Sequence, residues 1–177
     1  MKSVFVSLNL GMILWVLLMG CSKESDLESS KSLDLKSEIA EKILIKTNAL
    51  RKGKNLATLA QDDQMDQLAM LHSDNMVAFN FFAHEDHQNK TPSDRADDLS
   101  FSWSSIAENI GFVPWFENVE GCGDTRSAEA IAECVVEGWK NSPGHYANMV
   151  GDFTQLGVGV AFTKDSLAYF TQVFRIP

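Results

Sequence analysis

Hydrophobic side chains recur along this chain at several different spacings, and each spacing predicts a different element. From Val4 to Met19 they are nearly continuous, broken only by Ser7, Asn9 and Gly11. Between Glu38 and Lys52, Ile39, Ile43, Ile45, Ala49 and Leu50 recur at mostly helical intervals with Lys and Glu between them, which predicts a helix ending near Gly53. Met65, Leu68, Ala69, His72, Met76 and Phe79 lie three and four apart, so a second helix is expected, capped by Asp62 or Asp63. A third is expected from about Ser127 to Asn141, with Ala130, Ile131, Cys134, Val135 and Trp139 on its apolar face and Ser142-Pro143-Gly144 as its stop. The period then falls to two. Leu156, Val158, Val160 and Phe162 alternate with small or polar residues, Thr163 to Ser166 interrupt, and Ala168 to Phe174 are rich in aromatic and β-branched residues, which predicts two strands joined by a tight turn. The stretches Asn89–Ser100 and Gly111–Arg126 read as loops.

The first apolar run is too short and too interrupted for a spanning helix, which needs about 20 apolar residues. It follows Lys2, ends in Leu18-Met19-Gly20-Cys21, and gives way at once to Ser22-Lys23-Glu24-Ser25-Asp26. That is the pattern of a bacterial lipoprotein signal: residues 1–20 are removed and Cys21 is acylated. A retained transmembrane anchor is the alternative. Residues 21–37 then form a lipidated polar tether, too poor in apolar residues to bury much and expected to behave as a flexible chain. Residues 38–177 make one domain, of a size that suits a single core. The expected address is the bacterial cell envelope, extracytoplasmic and held to the membrane through the lipid on Cys21. Ser22 is compatible with the outer membrane if the source is diderm.

Charge and cysteine content narrow the partners. The chain carries 15 Lys and Arg against 24 Asp and Glu, a net charge of −9, and loss of Lys2 makes it more negative. Binding to phosphate backbones is disfavoured, so no nucleic-acid partner is expected. Of the three cysteines, Cys21 is assigned to the lipid, which leaves Cys122 and Cys134 as an even pair in a chain bound for an oxidising space. A disulfide is expected, the alternative being two unpaired, partly buried thiols.

Few residues are left to carry chemistry. No Walker loop, dinucleotide fingerprint or nucleophile elbow is present. His72 lies on an apolar helix face and reads as a packed, hydrogen-bonded core residue. His84 follows Phe81-Phe82-Ala83 and precedes Glu85-Asp86-His87, where a helix should end; His-Glu-Asp-His lacks the spacing that places two zinc ligands on one helix face. Glu108 is enclosed by residues that favour burial, so its carboxyl needs hydrogen bonds or a cationic partner, as structural glue or as a tuned acid or base. His145 follows the third helix, and the nearby Ser142 has no oxyanion-hole glycines to support a serine hydrolase.

The order of several short motifs is more specific than any one of them. Phe82-Ala83-His84, Asp94-Arg95, Ala107-Glu108-Asn109-Ile110, Trp139 followed by Ser142-Pro143-Gly144-His145, Ala147-Asn148-Met149 and Leu156-Gly157-Val158-Gly159 together resemble the CAP superfamily, in its bacterial branch. The resemblance spans about Ile39 to Phe174. It implies an α/β fold, a three-layer α-β-α sandwich with a small central, mainly antiparallel sheet, and a cleft shared by two histidines and two acids. Carried over by position, these are His84, His145 and Glu108; the second acid is missing, since Asn141 and Ser142 stand in its place. The resemblance implies that two imidazoles and one carboxylate could hold zinc or another divalent cation, with water in an open position. Three functions follow: an envelope binding module for a metal, small molecule, lipid or peptide; a metal-assisted hydrolase with Glu108 as third ligand or base; or a structural or adhesive envelope protein. Trp115 and Phe116 are expected to rim the cleft, and Trp103 and Trp139 to pack in the core.

Overall fold

The computed structural model describes residues 20–177. The chain divides into two units, Met1–Leu33 and Asp34–Pro177; of the first, the described residues are helical. In chain order the elements are α1 (Gly20–Gly53), β1 (Ala60–Gln61), α2 (Asp63–Ala78), α3 (Pro92–Asp98), β2 (Ser105–Pro114), α4 (Ala128–Lys140), α5 (Pro143–Met149), β3 (Gln155–Phe162) and β4 (Leu167–Ile176). The strands form one sheet in the order β1-β3-β4-β2. Only β1 and β3 run parallel; the other pairs are antiparallel.

Strand alternation sends neighbouring side chains to opposite layers. On one face, Val173 of β4 packs with Met65, Leu68 and Ala69 of α2 and Ala96 of α3. On the other, Leu156, Val158, Val160, Phe170 and Phe174 meet Ile39 and Ile43 of α1 and Ile131, Val135 and Trp139 of α4. This is the expected α-β-α sandwich. Its α2 layer lies very close to the sheet, because β3 offers no side chain there. A Cβ on Gly157 would stand 2.0 Å from the Met65 backbone, and one on Gly159 would stand 2.2 Å from that of Ala69. The Asp66 carboxylate then accepts from the Val158 amide at 2.8 Å, fastening the helix to the strand.

The second helix begins as expected, with Asp62 accepting from the Met65 amide, and the third with Ser127 accepting from Ala130. Cys122 and Cys134 are bonded, with Cα atoms 5.4 Å apart, and tie the loop before α4 to that helix. Several expectations are corrected. Residues 22–37 are helical within α1 rather than a flexible chain. The loop expected at 89–100 contains α3, nucleated by a capping box in which Thr91 and Asp94 bond each other's backbone, with Pro92 in the first turn. Strand β2 occupies a segment without predicted structure and takes in the start of the expected loop at Gly111. Ser142-Pro143-Gly144 ends α4 but also starts α5, since Pro143 suits a first helical turn. Phe79 is the C-cap of α2 and 54% exposed, outside the buried face. Trp115 packs edge-on against Phe162 beside the α1/α4 core instead of rimming a cleft. Trp139 is buried as expected, and Trp103 is partly buried with its indole N–H donating to Asp97.

The predicted leader lies outside the described residues but for Gly20. Cys21 falls within α1, its side chain outside the description. No helix among the described residues is long and apolar enough to cross a membrane.

Candidate functional site

Glu108 sits opposite Val173 in the β2–β4 register, on the face turned to α2 and α3. Its side chain is 1% exposed, so an unpaired charge would carry a large desolvation cost. Arg95 of α3 supplies the partner: Nη2 donates to Glu108 Oε2 at 2.6 Å. The same guanidinium donates through Nη1 to the carbonyls of His84 and Lys90, each at 2.8 Å. Arg95 therefore braces both the carboxylate and the backbone that carries His84. The sequence placed Arg95 in a motif but gave it no role; only the acid it must neutralise, buried 13 positions later, could have signalled one.

His84 leaves the segment after α2 and reaches the other Glu108 oxygen, with Nδ1 2.9 Å from Oε1. A carboxylate only accepts, so Nδ1 is the donor to Glu108 and Nε2 is the ring nitrogen left for other partners. The ring is half exposed, unlike Glu108 beneath it. His72 also approaches, with Nε2 3.7 Å from Oε1, yet it donates instead to the Ala83 carbonyl at 2.9 Å. It is fully buried, and burial, more than the nearby charges, pushes its pKa below the ordinary histidine value. That agrees with a core histidine.

His145 comes from the first turn of α5, which packs against β2. Here the neighbouring residue Asn109, on the opposite face of the strand from Glu108, does the holding. Its Nδ2 donates to the His145 carbonyl at 3.1 Å. Asn148 of α5 donates to Asn109 Oδ1 at 2.8 Å and to the Glu108 carbonyl at 3.2 Å. Burial lowers the His145 pKa, and the charge on His84 lowers it further, so the two imidazoles are electrostatically coupled. Thus His84, Glu108 and His145 are gathered around β2. Nearby stands an aromatic group of which only Phe82 figured in a sequence motif: Phe82 meets Phe112 edge-on at 5.0 Å and Tyr169 at 6.1 Å, with Phe82 and Phe112 44% and 51% exposed.

The three expected metal ligands do not form a ligand set. Among the described residues no group of three His, Cys, Asp or Glu side chains could hold a metal ion. The reason is Glu108: both oxygens are already engaged and the side chain is buried. It orients His84 rather than offering a third ligand, leaving the half-exposed His84 and the partly buried His145 as the imidazoles of the site. A separate groove of about 530 Å³ runs along α4, lined by Gly121, Cys122, Glu133, Cys134 and Asn141 among others, and includes no histidine.

Comparisons with known proteins agree with this architecture. An extracellular SCP-domain protein of Bacillus anthracis superposes with a TM-score of 0.63 at 29% identity, over 80% of this chain and 41% of that one. An outer surface protein of Borrelia burgdorferi superposes with a TM-score of 0.61 at 22% identity, over 75% of this chain and 87% of that one. In sequence, the uncharacterized membrane protein YlbC of Bacillus subtilis is 31% identical over 148 residues, which is 83% of this chain and 36% of that protein. The match to YkwD of the same organism spans 47% of that relative, so the chain covers less than half of either. The model of the cysteine-rich secretory protein family, CAP, matches residues 44–174, and the chain belongs to that family.

Proposed function

We propose that this chain is an exported lipoprotein, anchored through Cys21, whose CAP domain serves at the cell envelope as a binding module for a small ligand. The observation that carries this reading is the division of labour around Glu108. A buried acid and a buried guanidinium hold His84 through Nδ1 and its backbone, and burial lowers the pKa of His145, the second imidazole. Two imidazoles at a partly open site suit a ligand that binds ring nitrogens, a divalent cation being the simplest probe. The hydrolase reading asks Glu108 to ligate a metal or take a proton from water. Both its oxygens are engaged and shielded, so support lies with binding. The envelope address draws on the leader and on relatives described as extracellular or outer-surface.

Zinc(II) titrated into the full chain in detergent, followed by calorimetry and by the histidine ring signals in NMR, tests the site. The expected result is saturable binding that moves His84 and His145 and disappears in the His84→Ala, His145→Ala double variant, whose NMR spectrum remains that of a folded domain. Absence of any response to zinc and to a panel of small polar ligands would overturn it. For the anchor, Cys21→Ser should release the protein from the membrane fraction and abolish the acyl mass on the mature chain.

A further inference from the structure

Two adjacent residues of β2 divide the work of holding the two imidazoles. Glu108 faces α2 and meets His84 directly; Asn109 faces the opposite layer and meets His145 through its backbone. The amide of Asn109 is fully used. Nδ2 donates to the His145 carbonyl and to Gln172 Oε1 at 3.2 Å, while Oδ1 accepts from Asn148. Gln172 in turn donates to Thr47 Oγ1 at 2.9 Å, which fixes the way its own amide points. The result is a chain of neutral hydrogen bonds with one polarity, from Asn148 through Asn109 and Gln172 to α1. Asn109, Gln172 and Thr47 are all fully buried.

The helix at the end of this chain has little to hold it in place by itself. It has seven residues, and Ser142 makes no side-chain capping bond. A helix so short is not stable alone. Arg51 secures its far end, donating to the Met149 carbonyl at 3.0 Å and to that of Gly151 at 2.8 Å. At His145 the side-chain bond comes from Asn109, and one turn further on Asn148, beside Met149, ties the last turn to β2.

We infer that Asn109 and Asn148 are positioning residues that fasten α5 to β2, one at His145 and the other a turn later, and thereby fix how the His145 ring stands against His84. This rests on the reading of those two imidazoles as the working pair, but not on what they bind. It separates the two asparagines from Thr47, which belongs to the same network yet touches neither histidine segment.

The test uses metal-free full chain in detergent and the ring signals of all four histidines. Asn109→Leu and Asn148→Ala are expected to shift or broaden the His145 and His84 signals, leave His87 unmoved, and speed amide exchange within α5 about tenfold. Thr47→Val is expected to lower Tm while leaving both site rings unchanged. Should Asn109→Leu fail to fold, the partly exposed Asn148→Ala carries the measurement. If either asparagine variant lowers Tm as Thr47→Val does and leaves the His145 and His84 signals in place, the assignment is overturned. Because no ligand is present, this outcome is distinct from a failure of zinc to bind.

Discussion

On its α2 side the site is held by charge, and on its α5 side by neutral amides. The Arg95–Glu108–His84 arm places a full ion pair where both side chains are at most 2% exposed. The Asn148–Asn109–Gln172–Thr47 arm is uncharged throughout, with three comparably buried groups and a partly exposed Asn148 at its end. The contrast lies in what happens when a member is lost. A buried ion pair gives little net stability over an apolar replacement, yet losing one partner strands the other charge at a cost of about 3–5 kcal/mol. A neutral bond is worth about 1 kcal/mol net, and an orphaned amide costs about 1–3 kcal/mol. The first arm is therefore brittle and the second compliant.

The largest effect should come from Arg95→Met, destabilising the chain by about 3–5 kcal/mol in urea denaturation, with Glu108→Gln in the same background recovering most of the loss. Equal losses in the single and double variants would show that Arg95 matters for packing rather than for the charge it neutralises. On the other arm, Asn148→Leu should cost about 1–3 kcal/mol, because it leaves Asn109 Oδ1 and the Glu108 carbonyl without that donor. A loss as large as that of Arg95→Met would erase the contrast.

Protonation sharpens the comparison more gently. His72 and His145 both have folded pKa values pushed below 6.5, by burial first. Above about pH 6.5 both states are neutral and the full stability is present; as pH falls, the unfolded chain takes up protons first and stability is lost through the folded pKa. His72→Gln keeps a donor for the Ala83 carbonyl but cannot titrate, so it should flatten the decline of the urea midpoint as pH falls below about 6.5. An unchanged slope would remove His72 as a cause. The smallest effect is expected at the surface. Lys140→Ala breaks a partly exposed pair with Glu137 one turn apart on α4 and should change stability by less than about 1 kcal/mol.

Much of this fold could be read from spacing alone, because α2, α4, β3 and β4 each bury one face and keep one period. Strand β2 escaped notice for a related reason. Glu108 and Asn109 are both polar, point to opposite layers and are both buried, so the alternation that announces a half-exposed strand is missing at the very residues that make the site. Helix α3 was hidden by a loop-like composition, although Thr91-Pro92 and Asp94 spell a helix start in side-chain hydrogen bonds. The candidate residues His84, Glu108 and His145 came from ordered motifs. Arg95, Asn109 and Asn148 lay within those same motifs, but their roles depend on partners that no spacing in the chain reveals.

The two bare rungs of β3 bear on all of this from a distance. Where Gly157 and Gly159 carry only hydrogen, α2 can settle onto the strand, and the segment bearing His84 continues directly from that helix. The altitude of one imidazole above β2 is thus set by atoms missing from another strand. A single methyl group on that floor would lift the helix and tilt the ring without touching any residue that could be suspected of chemistry.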